Sequence, residues 1–378
     1  MYENSLSRSD EKLMMNVSLD VVLCSLLRVG LELTHDFPYS LTEEEWYSLF
    51  KMAKQQTVLG VACDAVSRLP ADIRPPRMLS IRLSATLEGL RGVNLRMNEE
   101  SARYTRLFAE HGAQCVILKG QANARLYPNP LLRQVGDIDI WIPDGFATVE
   151  RLLLDMGLIQ ETRDIFKVSH HISFRNEKNV EIEVHHRPAE VVFRNSEFQK
   201  VLLAEFENST LVPEGFYSPS IRFALLMQME HLYYHFRHDG VGLRHLMDYY
   251  VLMTHSTVAD RAFAWAKIKR FGLEHACAGI MWVLGNAFAL PREQMLCTPD
   301  SKRGMRLYKI VVEGGNFGRS GYKKNQKRFV VKRWLNNRIN AISWFCFDPL
   351  NTILAEFRYW KNTLTLMPER MRRRKVSL

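Results

Sequence analysis

Asp137-Ile-Asp-Ile-Trp-Ile142 is the stretch on which the reading of this chain turns. It alternates polar and apolar residues, the period-two pattern of a half-buried β-strand. Side chains at i and i+2 of a strand point the same way, so Asp137 and Asp139 share a face. Two carboxylates so placed repel each other and resist desolvation unless something cationic sits between them. A divalent ion is the natural candidate, since magnesium takes a few carboxylates together with substrate phosphates and water. An isolated Asp-x-Asp also suits a solvated sheet face, so the neighbouring segments have to decide between the two.

Downstream, Val180 to His186 reads as a second strand that repeats the spacing: Glu181 and Glu183 lie on one face, with His185 on the same face. The polar turn Arg175-Asn-Glu-Lys-Asn179 joins it to a strand-like run from Phe166 to Phe174. Upstream, Cys115-Val-Ile-Leu-Lys119 is a short apolar run consistent with a buried strand. Gly120 permits a tight turn into a helical stretch from Gln121 to Tyr127, which Pro128 and Pro130 close. Such a helix start offers free backbone N–H groups to an anion, and Lys119 and Arg133 add positive charge nearby. Phe146 to Met156 is helical and ends at Gly157. The order strand, helix, strand, helix, strand, strand predicts a compact α/β unit over 113–213.

On either side the texture is helical. Residues 1–112 contain helical spacing from Leu13 to Leu33 and a long amphipathic pattern from Arg77 to Phe108, ending near His111-Gly112. Between them Leu41-Thr-Glu-Glu-Glu-Trp46 resembles a helix start, with Thr42 as N-cap and Glu45 three residues on. Residues 214–378 form the second helical region, with His231 to Met253 and Val258 to Lys269 the clearest pieces and Glu313-Gly-Gly-Asn-Phe-Gly318 a flexible break. The predicted class is therefore α+β: a small mixed-sheet core flanked by N- and C-terminal helical regions.

Composition narrows the setting. A hydrophobic fraction of 47% and a charged fraction of 24% exclude a disordered chain. The six cysteines are scattered, with no CxxC pair, which suits reduced thiols and argues against a zinc site built from them. No secretory signal and no apolar run long enough to span a membrane occur, so a cytoplasmic protein is expected. The net charge of +10 is uneven: residues 301–378 carry 19 Lys+Arg against 4 Asp+Glu, and the first 300 residues carry 32 against 37. The C-terminal segment alone is strongly basic, suiting nucleic acid, an anionic surface or a solvated helical tail.

Leu118-Lys-Gly-Gln, Leu126-Tyr-Pro, Arg133-Gln-Val-Gly-Asp-Ile-Asp-Ile140 and Ile182-Glu-Val-His-His-Arg187 together resemble the uncharacterised nucleotidyltransferase family of the DNA polymerase β-like superfamily. The likeness is strongest over 115–187 and continues more loosely through His231, His235, Arg244 and Asp248. It departs from the superfamily at the turn, where Lys119-Gly120 replaces the usual Gly-Gly or Gly-Ser. The resemblance implies a nucleotidyltransferase core that moves a nucleoside monophosphate from a nucleoside triphosphate, ATP by expectation, to an unidentified acceptor hydroxyl. It assigns Asp137, Asp139 and Glu183 as catalytic carboxylates holding Mg2+ or Mn2+, and Lys119, Gly120, Arg133 and Gly136 as nucleotide contacts. The acidic face is expected to open into a cleft against the C-terminal helices.

His185, His231, His235 and Arg244 are candidates for the substrate cleft. His231 and His235 are one helical turn apart, a spacing that also suits zinc, but no acidic zinc motif accompanies them. Arg244 and Asp248, at i and i+4, suit an ordinary helix ion pair. Two rival functions remain open at this stage. One is an inactive module that binds nucleotide or a partner on the same scaffold. The other is a nucleic-acid-binding protein using the basic C-terminal segment, with Trp334, Trp344, Tyr359 and Trp360 available for stacking.

Overall fold

A computed structural model of the protein describes residues 17–160, 170–189, 195–238 and 240–315, with further positions between 345 and 360. Among the described residues four α-helices precede the sheet: α1 (Leu19–Gly30), α2 (Glu43–Gln55), α3 (Leu59–Arg68) and α4 (Arg77–Glu110). The start of α2 is the expected capping box. Thr42 Oγ1 accepts from the Glu45 backbone N–H at 3.3 Å, and Glu45 Oε2 accepts from the Thr42 N–H at 2.8 Å. The 34 residues of α4 make a rod of about 51 Å. It begins behind Pro75-Pro76 and stops at Gly112, whose φ of 76° turns the chain toward the sheet.

The sheet contains β1 (Val116–Ile117), β2 (Ile138–Trp141), β3 (His171–Arg175) and β4 (Glu181–His185) in the order β1-β2-β4-β3. β1 is antiparallel to β2, β2 is parallel to β4, and β3 is antiparallel to β4. Two short helices lie between the strands, α5 (Gln121–Ala124) and α6 (Gly145–Asp155). The chain is thus α+β with a small mixed sheet, as its sequence predicts. Residues 161–169 lie outside the described set, so only the end of the strand expected over 166–174 is seen.

Alternation along the strands sorts the sheet into two faces. Ile117, Ile138, Ile140, Ile182 and Val184 pack with Met97, Tyr104 and Phe108 of α4 and with Val149 and Leu153 of α6. Asp139, Trp141, Glu183 and His185 alternate with these residues and so belong to the opposite face. That second face is covered, contrary to the half-buried strand expected for β2: all four residues of β2 are buried. The reason is Trp141, whose ring stacks on Phe223 at 5.2 Å and meets Phe206 edge-on at 5.0 Å.

After the sheet come α7 (Asn195–Ala204), an unpredicted two-stranded pairing of β5 (Thr210–Leu211) with β6 (Tyr217–Ser218), and then, among the residues described up to 315, five α-helices. These are α8 (Ile221–His238), α9 (Leu243–Thr254), α10 (Val258–Arg270), α11 (Glu274–Phe288) and α12 (Ser301–Gly314). The helical piece expected from His231 to Met253 is two helices, not one. Gly240, at φ 88°, breaks it between them, a conformation that an L side chain avoids. The helices before and after the sheet share one apolar core, running from Leu23 and Trp46 to Leu246 and Ile280. Buried Gln56 stitches them together: its Nε2 donates to the Val311 carbonyl at 2.8 Å, and its Oε1 accepts from the Leu243 N–H at 2.9 Å. Among the described residues no helix is long and apolar enough to cross a membrane. Trp334, Trp344 and Tyr359, expected as stacking residues, lie outside the described set, as does most of the basic segment.

Candidate active site

Parallel pairing of β2 with β4 places Asp139 directly opposite Glu183 and Trp141 opposite His185. The acids that were 44 positions apart in the chain are therefore neighbours on the face turned toward the C-terminal helices. Asp139 is only 4% exposed. Burial pushes its carboxyl up, but the Lys119 ammonium and the bond from His185 pull harder and hold it well below the usual carboxylate range. Lys119 Nζ sits 2.9 Å from Asp139 Oδ1. His185 Nε2 donates to the same oxygen at 3.0 Å.

Glu183 is more open, with 20% of its side chain exposed, and its two oxygens lie 3.6 Å from His185 Nε2 and 3.6 Å from His171 Nε2. Burial is the largest influence and raises its carboxyl, but the interactions with His185 and His171 together outweigh it and leave a net lowering. Asp137 precedes β2 and is half-buried. The charge of Asp139, followed by burial and opposed by Lys119, pushes the Asp137 carboxyl up to about 6. Ligand atoms of Asp139, Glu183 and His185 all lie within 4.8 Å of one another. The structure thus groups Asp139 and Glu183 with His185, while Asp137, expected as the third metal-binding acid, lies outside that group and feels the charge of both acids.

Lys119 is fixed by the turn between β1 and α5. Gly120 adopts φ 50° and ψ −106°, which favours glycine over any L residue. A Cβ there would meet nothing closer than the Asp137 carbonyl at 3.6 Å, so the backbone conformation and not space requires glycine. The helix beyond it is shorter than expected: Gln121–Ala124 is a single turn, in place of a helix reaching Tyr127. A single turn has too few aligned peptides for a strong N-terminal field. The main effect of the turn is to aim Lys119, which also lies 3.4 Å from His231 Nε2.

The two arginines stand differently from the sequence reading. Arg133, expected at the triphosphate, is 4% exposed and committed to Asp248: Nε donates to Oδ1 at 2.7 Å and Nη2 to Oδ2 at 2.6 Å. Tyr127 adds its hydroxyl to Oδ1 at 2.7 Å. The expected Arg244–Asp248 helix pair is replaced by this fork. Arg244 instead turns toward Gly136, where Nη1 would stand 3.7 Å from an added Cβ and donates to the Gln134 carbonyl at 3.2 Å. Its Nε is buried without a hydrogen-bond partner among the described residues. Burial, and then the charge of Arg133, lower its pKa.

His231, His235 and His245 gather behind Lys119, with the rings of His231 and His235 4.2 Å apart. Burial and the Lys119 charge push His231 well below the ordinary imidazole range, and burial and Arg244 do the same for His245. Burial and neighbouring positive charge thus favour the neutral forms of His231 and His245. His170 and His171, which the sequence reading left without a role, pack on His185 with ring centroids 5.1 Å away in both cases. The signal was present in the hairpin: pairing Arg175 with Glu181 across a short turn forces His171 opposite His185.

A family model described as an uncharacterised nucleotidyltransferase matches residues 42–289, well over half of the chain. Neither a curated protein nor a solved structure matches.

Proposed function

The chain belongs to the uncharacterised nucleotidyltransferase family, and on that premise we propose that it transfers a nucleoside monophosphate from a triphosphate, ATP by preference, to an acceptor hydroxyl. The observation that carries this reading is the register of Asp139 against Glu183 on adjacent parallel strands, with Lys119 bracing Asp139.

The donor set fits a divalent cation. The carboxylates of Asp139 and Glu183 converge within 4.8 Å, and the repulsion that Asp139 exerts on Asp137 is the kind that a cation relieves. Mg2+ or Mn2+ held by Asp139 and Glu183, with Asp137 within reach of their charge, would neutralise the phosphates and the charge that develops during displacement. Lys119 and His185 keep Asp139 ionised and fixed in one rotamer. Arg244 faces the Gly136 loop and is the arginine placed to meet a phosphate oxygen, the part that sequence reading gave to Arg133. In the reaction the acceptor oxygen bonds to the α-phosphorus, the bond from that phosphorus to the bridging oxygen breaks, and pyrophosphate leaves. Glu183, the more exposed of the paired acids, takes the hydroxyl proton.

The test is incubation of the full chain with each labelled nucleoside triphosphate, Mg2+ or Mn2+ and panels of protein, sugar and nucleic-acid acceptors, read by mass spectrometry of every product. The expected result is a product heavier by one nucleoside monophosphate that disappears in Asp139→Asn. Undiminished product from Asp139→Asn would refute the assignment.

A further inference from the structure

The structure assigns the imidazoles of His170, His171 and His185 to a site for one transition-metal ion of the zinc type, adjoining the carboxylate pair. A ring nitrogen of each lies within 4.8 Å of one from both others. His171 Nδ1 and His170 Nε2 are 3.3 Å apart. Two nitrogens on a tetrahedral ion with bonds of about 2.0–2.1 Å stand about 3.4 Å apart, so this pair already has ligand spacing.

The surroundings have the form expected around metal-bound histidines, in which the ring nitrogen away from the ion is held by a carboxylate. His185 Nε2 is spent on Asp139 at 3.0 Å, and His171 Nε2 lies 3.6 Å from Glu183. With its proton on Nε2, His185 carries a lone pair on Nδ1. That nitrogen is buried, in a residue 3% exposed, and has no hydrogen-bond partner among the described residues. A buried polar atom left unpaired costs about 1–3 kcal/mol, and a metal ion would satisfy it. Nitrogen donors also select differently from the acids next door: imidazole suits zinc, cobalt and nickel, whereas carboxylate and water suit magnesium and manganese.

Such an ion would lock β3 to β4 where they carry His171 and His185, the two side chains that brace Glu183 and Asp139. The proposal rests on the nucleotidyltransferase reading only for this positioning role; the ion site itself stands or falls separately.

The experiment uses the metal-free full chain and metal alone, without nucleotide. Co2+ is titrated while its visible absorption is recorded, and Zn2+ binding is followed by calorimetry. One ion per chain is expected, with the intense visible bands of low-coordinate cobalt. His170→Gln, at a half-buried position outside β3, should weaken binding at least 10-fold, and His170→Gln with His171→Gln should remove the bands. Circular dichroism of each variant reports whether the fold survives. Asp137→Asn separates the two readings: it should leave zinc affinity within 2-fold while impairing Mg2+-dependent transfer. Absence of Co2+ and Zn2+ binding at micromolar concentrations overturns the site. So does wild-type affinity in the double histidine variant, or loss of zinc binding in Asp137→Asn.

Discussion

Replacing Asp248 with asparagine tests the reassignment of Arg133 from phosphate ligand to buried brace. The side chain keeps its shape and loses its charge. In the native protein three donors converge on this carboxylate at 2.6–2.7 Å: Arg133 Nε, Arg133 Nη2 and the Tyr127 hydroxyl. Asparagine with its oxygen at the Oδ1 position keeps the bonds from Arg133 Nε and Tyr127 and turns its amide N–H2 toward Arg133 Nη2, so one of the three bonds is lost together with the charge. Hydrogen bonds to charged groups contribute roughly 1.5–3 kcal/mol each, and breaking a buried ion pair costs about 3–5 kcal/mol because the orphaned charge stays buried. The two ranges meet at about 3 kcal/mol, roughly a 10²-fold fall in the folding equilibrium. Urea unfolding followed by tryptophan fluorescence reads this as a midpoint lowered by roughly 1 M for an m value of about 3 kcal/mol/M. Tyr127→Phe removes one bond, leaves the fork intact, and should cost about 1–2 kcal/mol. A change below about 1 kcal/mol in Asp248→Asn would mean that the fork is not a buried pair, and would return Arg133 to the candidates for phosphate contact.

Gly60→Ala should destabilise the protein by about 2–3 kcal/mol in the same assay, since the added methyl collides with the Leu132 carbonyl oxygen on the loop that leads to Arg133; a neutral result would contradict the packing of α3 on that loop. Gly120→Ala should cost about 1–3 kcal/mol from backbone strain at φ 50° and reduce transfer activity by moving Lys119; wild-type values for both would show that the turn relaxes freely. Glu100→Gln probes a pH dependence. The Glu100 carboxylate accepts from Lys178 at 2.7 Å, Arg103 at 2.8 Å and Asn176 at 2.7 Å. Burial raises its pKa, but the bonds from Lys178 and Arg103 outweigh burial and leave it lowered from 4.5. A lowered folded pKa adds stability that is fully present above about 4.5 and is lost as pH falls through the folded value. The stability gap between wild type and Glu100→Gln should therefore be widest at neutral pH and narrow below about 4.5; a gap that does not change with pH would show that the ion cluster contributes nothing.

The sequence by itself determined the main acid-bearing strands, a helix start and a turn. Period-two alternation at 137–142 and 180–186 set two acid-bearing strands, Thr42 and Glu45 set a helix start, and Gly120 set a turn, because each is a local property of the backbone and its nearest side chains. The class α+β follows from their order. Tertiary structure decided everything that depends on which distant groups meet. Arg133 sits four residues before Asp137, so proximity in the chain suggested a shared anion, yet Asp248 lies 115 positions away and takes the guanidinium in a buried fork. Asp139 was legible as a metal-type acid, but its bracing by Lys119 and His185 depended on strand register. The His170–His171–His185 cluster required the hairpin pairing, and the cover over the acidic face required Phe223 to arrive against Trp141. Charge, burial and packing act through space and not along the chain, so the sequence supplied the candidate residues, and only the fold assigned their partners.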